Sequence, residues 1–385
     1  MKKPETSKDS RALEKPLWVG AHFGFTPIDA PKVTPKDIEA VKDCSDDEAL
    51  AEGQKNLFDA AEKAAFLRMY LEKDFASLPH PIAVSFKKGQ GKKDEYSFEL
   101  AGFQGGCGEA LLIRTALSVL TEEGFGSLSI DLNSIGDKES ISAYERELQN
   151  YARKIGDELD QDLKKRIKKN VYEMLKVVEE GHALYDKMPT SIATLSTQSR
   201  AHFKEVLEHI EALGTEFRLL PTLVGNRTFC SETLFAVRNV ESGSILALGY
   251  RYSRLSKKVG FKKEIPLAGM TLFLSEKPAL KNEKVFKDLP KPKFYLVQLG
   301  KDAKMKTLPL IELLRQNKIP VHHALGRDKI TAQLEGAERS RVPYLLIVGQ
   351  KEALEDSVTV RNTSTRAQDT IYMKDLPQYL KNLPL

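Results

Sequence analysis

The spacing of apolar residues changes period repeatedly along this chain of 385 residues, and each change predicts an element. Between positions 35 and 75, Ile38, Val41, Leu50, Leu57, Ala60, Ala64, Phe66 and Leu71 recur at helical spacing. PIAVSF (81–86) and YSFELAGF (96–103) read as strands flanking KKGQGKKDE, which predicts a hairpin with a long basic loop. EALLIRTALSVL (109–120) returns to helical spacing and stops before Gly124. SLSIDLNSIGD (127–137) alternates as a strand and ends in turn residues. Residues 138–180 are nearly all helix formers and dense in charge, the pattern of a solvated helical pair supported by Glu/Lys spacings.

A further helix over 196–213 opens on Ser196-Thr197 and closes at Gly214, good capping chemistry at both ends. Strands at 233–239 and 244–252 are joined by the VESGS turn into an antiparallel pair, and PLAGMTLFLSE (266–276) adds a third apolar run. KPALKNEKVFKDLPKPK (277–293) is rich in Pro and Lys and predicts an interdomain linker. Beyond it strands alternate with short helices: FYLVQLG, LPLIELLRQN, IPVHHAL, KITAQLEGAERS, YLLIVGQ, then SVTVRN and TIYMKDLPQYLKNL. That order means a small α/β domain with a partly parallel sheet. The expected organisation is a disordered tail (1–16), an α+β domain (17–276) with a helical insertion at about 138–186, the linker, and the α/β domain (294–385).

Composition narrows the picture only a little. Hydrophobic content of 41% with 29% charged residues is ordinary for a soluble globular protein. No run approaches the roughly 18 apolar residues of a membrane span, and the N-terminus has no apolar core after Lys2 and Lys3, so no signal peptide is expected. Three cysteines, Cys44, Cys107 and Cys230, lie far apart, which fits a reducing cytoplasm, and no structural metal is expected. Charge changes the picture more. Residues 291–385 carry 16 Lys and Arg against 10 Asp and Glu, so the whole positive excess of the chain, which is +5, lies in its last quarter. A polyanion-binding module shows that distribution, and so does a plain basic surface.

The last domain resembles the anticodon-binding domain of histidyl-tRNA synthetases through its whole length, most clearly at Leu334, Ala337 and Pro343, the strand LLIVG and the segment ending VTVRN. Upstream, IDLNSIGD (130–137), the charged helix near Tyr144, HFKEVLEHIEALG and PTLVG…TLFAV follow the order of that family's class II catalytic domain. FGFTPIDAP (23–31) is similar to its N-terminal entry, so the resemblance spans roughly 17–385. It implies a class II synthetase-like antiparallel sheet of six or so strands with helices, followed by the α/β anticodon-binding domain, usually in a dimer.

The resemblance also implies where chemistry would sit. Amino-acid activation relies on fixed arginines and magnesium to offset charge on the ATP phosphates. The family's motif 2 places an arginine and a glutamate where this chain has Ser85 and Lys87. Its Arg-Gly-Leu-Asp-Tyr-Tyr stretch falls on Gly225, Asn226, Arg227, Thr228, Phe229 and Cys230, inside the run LVGNRTFCSETLFAVR, whose polar entry into a strand borders a cavity. Its Gly-Gly-Arg-Tyr-Asp strand end falls on Gly249-Tyr250-Arg251-Tyr252-Ser253, and its motif-3 arginine near Glu276 or Lys277. The remaining cations able to take substitute catalytic roles are Arg227, Arg251 and Lys88. Lysine is a mobile point charge, not a planar fork.

These substitutions predict a histidyl-tRNA synthetase-like protein with lost or much reduced histidine activation that keeps tRNA or RNA binding through its last domain, in a cytoplasmic homodimer. The expected RNA contacts are Arg327 and Lys329 at one end of a helix, Arg339 and Arg341 at the other, and Lys92 and Lys93 in the hairpin loop, with surface solvation as the alternative. Two other functions fit the same residues: a diverged but active histidine–tRNA ligase using ATP and Mg, and a non-catalytic regulatory or scaffolding subunit.

Overall fold

The computed structural model describes residues 13–44, 58–75, 81–89, 94–175, 187–275 and 291–384. Helix α1 (Lys15–His22) starts with a proline in its first turn, where the missing N–H costs nothing, and Pro16 is buried. The last two residues of the expected tail are therefore helical; residues 1–12 lie outside the described residues. After the short β1 (Thr26–Pro27) come α2 (Pro35–Ala40), capped reciprocally by Thr34 and Asp37, and α3 (Ala60–Glu72), capped by Asp59. The predicted hairpin is β2 (Ile82–Lys87) with β3 (Glu95–Ala101), followed by α4 (Cys107–Glu122) and β4 (Leu128–Gly136).

The charged stretch forms α5 (Lys138–Lys154) and α6 (Gln161–Lys169), both opened by aspartate caps. Helix α7 (Thr197–Ala212) is capped by Ser196, whose hydroxyl accepts from Ser199 N at 3.1 Å. Next come β5 (Arg218–Leu219), β6 (Ser231–Asn239), β7 (Ile245–Arg251), α8 (Leu255–Lys258) and β8 (Leu267–Phe273). Of the expected linker, residues 277–290 lie outside the described residues.

These strands make one eight-stranded sheet in the order β1-β2-β3-β8-β7-β6-β4-β5. The six central strands pair antiparallel, as expected. The sheet as a whole is mixed, because the two-residue strands β1 and β5 add parallel edges. Both faces are buried. One carries α4, α7 and α1 over Phe98, Leu100, Phe235 and Met270. The other carries α3 and the start of the insertion over Val84, Leu234, Tyr250 and Tyr252.

The C-terminal part contains β9 (Phe294–Gln298), α9 (Lys301–Gln316), β10 (Val321–His323), α10 (Ile330–Ser340), β11 (Tyr344–Val348), α11 (Gln350–Leu354), β12 (Ser357–Asn362), β13 (Gln368–Tyr372) and α12 (Leu376–Lys381). Its sheet runs β10-β9-β11-β12-β13, with the first three strands parallel and the last two antiparallel. This sheet is joined to the first by a polar seam. Glu312 accepts from Arg315 Nε at 2.8 Å, Arg114 Nη2 at 2.7 Å and Ser118 Oγ at 3.2 Å, while Arg315 also pairs with Glu122. His323 Nε2 lies 3.0 Å from the carbonyl oxygen of Phe23. No helix among the described residues is long and apolar enough to cross a membrane.

Candidate functional site

Strand pairing sets Val84, Glu99, Gly269, Tyr250 and Leu234 in one row across the large sheet, on the face covered by α3. A carboxylate in the middle of such a row must be satisfied locally, because burying it alone is costly. Glu99 is 1% exposed and its oxygens are fully engaged: Ser97 Oγ donates to Oε1 at 2.6 Å, Tyr252 OH donates to Oε2 at 2.6 Å, and Lys63 Nζ pairs with Oε1. Lys63 comes from the inward side of α3 and is 3% exposed. Its ammonium also lies 5.4 Å from the Tyr250 ring centroid and 5.3 Å from that of Tyr252. Gly269 makes this possible, since a Cβ there would stand 2.1 Å from Glu99 Oε2.

Aromatic rings fill the space beside this ion pair. Tyr250 packs against Phe58 at 4.9 Å and against Phe229 and Tyr252 at 6.0 Å between centroids. Burial pushes the phenols of both Tyr250 and Tyr252 well above their usual range, with Glu99 adding to the effect. Gly225 is in the left-handed region at φ 61°, and a Cβ on it would lie 2.4 Å from Leu234 Cδ2 and 3.1 Å from the Phe58 ring. No side chain fits there.

The three residual cations do not converge. Arg251 lies on the opposite, helix-covered face, where Nε and Nη2 bind Glu109 at 2.9 and 2.7 Å and the remaining donors reach Phe103 O and Gly105 O. Lys88 pairs with Glu62 at 2.6 Å and Glu95 at 3.5 Å. Arg227 turns toward the insertion, pairing with Glu145 at 3.2 Å with its guanidinium 5.3 Å from the Tyr172 centroid. Arg254, which sequence reasoning missed, holds the loop by donating to the carbonyls of Arg227 at 2.8 Å and Cys230 at 3.4 Å. Glu232 opens β6 at φ 54°, and burial raises its carboxyl above the usual range.

Lys63, Glu99 and Glu109 were also missed. The available signal was a charged residue at an inward position of an apolar run, in AAEKAAF, YSFELAG and GEALLI. A cavity of about 510 Å³ lies elsewhere, between α7 and the start of α9, where Lys301 pairs with Glu208 and Lys304 with Glu205 and Asp328. Among the described residues no group of three His, Cys, Asp or Glu is placed to hold a metal.

The structure brings part of the predicted RNA set together around α10. Arg327 folds back to donate to Ala332 O, and burial followed by the nearby Arg339 lowers its pKa. Lys329 is exposed at the helix start, and Arg339 is exposed and loosely paired with Glu335 at 3.7 Å. Arg341 is exposed just past the last turn at φ 50°. Lys92 and Lys93 lie outside the described residues, as do Glu276 and Lys277.

The profile of an anticodon binding domain matches residues 293–383. The histidine–tRNA ligase of Halothermothrix orenii is 31% identical over 282 residues, covering 71% of this chain and 67% of that protein. The chain belongs to the histidyl-tRNA synthetase family. The histidine–tRNA ligase of Bacillus licheniformis is 27% identical over 295 residues, covering 74% of the chain and 69% of the relative. Apo S. aureus histidyl-tRNA synthetase aligns over 99% of the chain and 100% of its own, at 19% identity and a TM-score of 0.49. Within this family fold, the stations that the sequence suggested can now be located. Gly225 occupies a spot that admits no arginine. Ser85 and Lys87 lie opposite Phe98 and Tyr96, so they are on the face covered by α4 and not on the α3-covered face that holds Glu99. On the Glu99 face that strand offers only Ile82, Val84 and Phe86.

Proposed function

We propose that this histidyl-tRNA synthetase family member has lost or much reduced histidine activation and binds tRNA or another structured RNA through its C-terminal domain. One observation carries the first half: each cation that the sequence left for substitute catalysis already faces a carboxylate of the chain. Arg251 has Glu109, Lys88 has Glu62 and Glu95, and Arg227 has Glu145. A triphosphate would have to displace these partners, losing the preorganised charge on which such catalysis depends. The aromatic packing of Phe58, Phe229 and Tyr250 supports the same reading.

The RNA half rests on the matched anticodon binding domain and on the exposed Lys329, Arg339 and Arg341 around α10. We take residues 17–276 and 294–385 as the two working units, joined by 277–293, in a cytoplasmic homodimer. Two assays test the proposal. ATP–pyrophosphate exchange should show little or no histidine dependence. Filter binding to total tRNA should show affinity that falls steeply with salt; flat or absent binding overturns the RNA half.

One observation favours an active ligase as the second reading: Arg254 donates to the carbonyl oxygens of Arg227 and Cys230, weaker partners for a guanidinium than a carboxylate. Histidine-dependent exchange that is abolished by Arg254→Ala would select that reading.

A further inference from the structure

We propose that the cavity between α7 and the start of α9 binds a phosphate ester of a sugar with a free vicinal diol, the ribose 5-phosphate unit of a mononucleotide. The proposal goes beyond the RNA reading above and does not depend on it.

Chain topology places the cavity. Strands β9 and β10 are parallel neighbours. From the carboxyl end of β9 the chain passes through Leu299-Gly300 into α9, which packs on the face of Phe294 and Leu296. From the carboxyl end of β10 it passes through residues 324–329 into α10, which packs on the opposite face with Tyr295 and Val297. Adjacent strands whose continuations leave to opposite faces form a crevice at their carboxyl ends, and open α/β sheets bind ligands there. The cavity of about 510 Å³ lies at this point. Gln298, Gly300 and Lys301 line it after β9 and Asp328 after β10, with Lys204 and Glu208 of α7 across from them.

The lining groups form two sets. The first set donates. Gly300 has φ 96°, a conformation that residues with side chains avoid, and a Cβ on it would meet nothing within 4 Å. The start of α9 is thus bare, and no side chain among the described residues caps its first-turn N–H groups. Such N–H groups favour an anion. Lys301 and Lys204 share one carboxylate, Glu208, at 2.8 and 4.0 Å, so ammonium is in excess beside it. The second set accepts. Gln298 is 3% exposed and turns its Nε2 to the carbonyls of Ala324 and Leu325, at 3.4 Å each, so its Oε1 is left without a hydrogen-bond partner. A buried acceptor in that condition is costly, and a ligand hydroxyl would satisfy it. Asp328 supplies a carboxylate that Lys304 Nζ holds at 3.2 Å.

A simple anion would use the donors alone, whereas a phosphate ester bearing hydroxyls uses both sets. An acidic residue after the strand beside a glycine turn is also how such crevices hold the ribose hydroxyls of a nucleotide. One glycine at the turn, where dinucleotide fingerprints carry several, leaves room for one phosphate. Among the described residues no aromatic ring lines the cavity, so the recognised part is the ribose phosphate and not the base. Internal nucleotides of RNA are excluded, because their 3′-oxygens are esterified and no diol is free.

The test is isothermal titration calorimetry of the full chain with AMP, 2′-deoxy-AMP, ribose 5-phosphate and inorganic phosphate. The expected result is saturable binding of AMP, with 2′-deoxy-AMP about tenfold weaker for want of one hydroxyl and inorganic phosphate weaker still. Lys301→Ala should weaken both nucleotides alike, and Asp328→Asn should remove the preference for ribose. The two side chains are 65% and 72% exposed, so neither substitution should prevent folding. Ribose 5-phosphate binding as well as AMP supports the site with a sugar phosphate as ligand; tighter binding of AMP supports it with a nucleotide as ligand. Absence of saturable binding by both compounds overturns the proposal, and so does equal affinity for AMP and 2′-deoxy-AMP. AMP binding that is unchanged in both variants also overturns it, because the nucleotide then sits elsewhere, the family's catalytic site included. Displacement of AMP by a 3′-phosphorylated oligoadenylate, which has no free diol, overturns it in favour of an RNA chain.

Discussion

Arg251 and Glu109 meet in a two-point contact beneath α4, Nε to Oε1 at 2.9 Å and Nη2 to Oε2 at 2.7 Å, with both residues buried. His202 Nε2 approaches the same carboxylate at 2.7 Å. Burial alone would raise the Glu109 carboxyl, but Arg251 and His202 outweigh it and hold it far below the ordinary value. Arg251 is therefore one half of a buried, doubly hydrogen-bonded ion pair. Arg251→Ala should cost about 3–5 kcal/mol of stability by stranding a buried carboxylate, read as a lower urea midpoint. Because the folded pKa of Glu109 is depressed, its contribution is present above about pH 4.5 and is lost as pH falls. The stability gap between wild type and Glu109→Gln should narrow below that pH.

His323 gives the opposite kind of group a pH dependence of the same direction. Its Nε2 faces Phe23 O at 3.0 Å, and its Nδ1 is buried with no hydrogen-bond partner. A proton on Nδ1 would have no acceptor, and burial pushes the pKa down to about 4, with His322 adding to it. The unfolded chain binds that proton near pH 6.5 while the folded chain does not, so stability should fall as pH drops from 6.5 toward 4. About 2 kcal/mol should be lost between pH 7 and 5. Urea midpoints of His323→Gln, which cannot titrate, should lose that much less over the same interval.

Placing an arginine at position 225 should confer no histidine-dependent exchange. Gly225 sits at φ 61° with Leu234, Phe58 and Cys230 where a Cβ would go. Gly225→Arg should lose about 2–4 kcal/mol from backbone strain and overpacking, and should gain no histidine-dependent pyrophosphate exchange. Gain of exchange in a stably folded variant would contradict this.

At α10, Lys329 and Arg341 are exposed at opposite ends, whereas Arg327 is folded onto the helix. Lys329→Ala and Arg341→Ala should each reduce the salt slope of tRNA binding by about 1 and weaken it across sequences. Arg327→Ala should instead lower stability, with less effect on the slope. A filter-binding salt series on the three variants checks the ranking.

Much of the fold was legible in the sequence because it depends on local chemistry. Ser196 and Gly214 bounded α7 to within a residue or two, and the turn at 240–243 placed β6 beside β7. The charged run 138–169 divided into α5 and α6, each opened by its own aspartate. The expected six antiparallel strands are the centre of the large sheet, while its parallel edges are two residues long and leave no periodicity to read.

The candidate site was less legible, for a physical reason. Lys63 and Glu99 are 36 residues apart, and Arg251 and Glu109 are 142 apart, so neither pairing has a local signature. Facing was the other difficulty. Ser85 and Lys87 read as motif positions by spacing, yet a strand turns alternate residues to opposite faces, and only the pairing with Phe98 and Tyr96 decides which. At Gly225 the family resemblance implied an arginine position occupied by glycine; that Leu234, Phe58 and Cys230 pack into the space a side chain would take there had no local signature.

The hydrogen bond between Phe23 and His323 ties positions 300 residues apart. During synthesis, the opening helix and first edge strand leave the ribosome long before that imidazole exists. The N-terminal edge of the large sheet must therefore wait, partly unsealed, until nearly the whole polypeptide has emerged. Completion of the last domain is then also what closes the first, since only then does the Phe23 carbonyl gain its imidazole partner and the Phe23 ring its Arg315 neighbour.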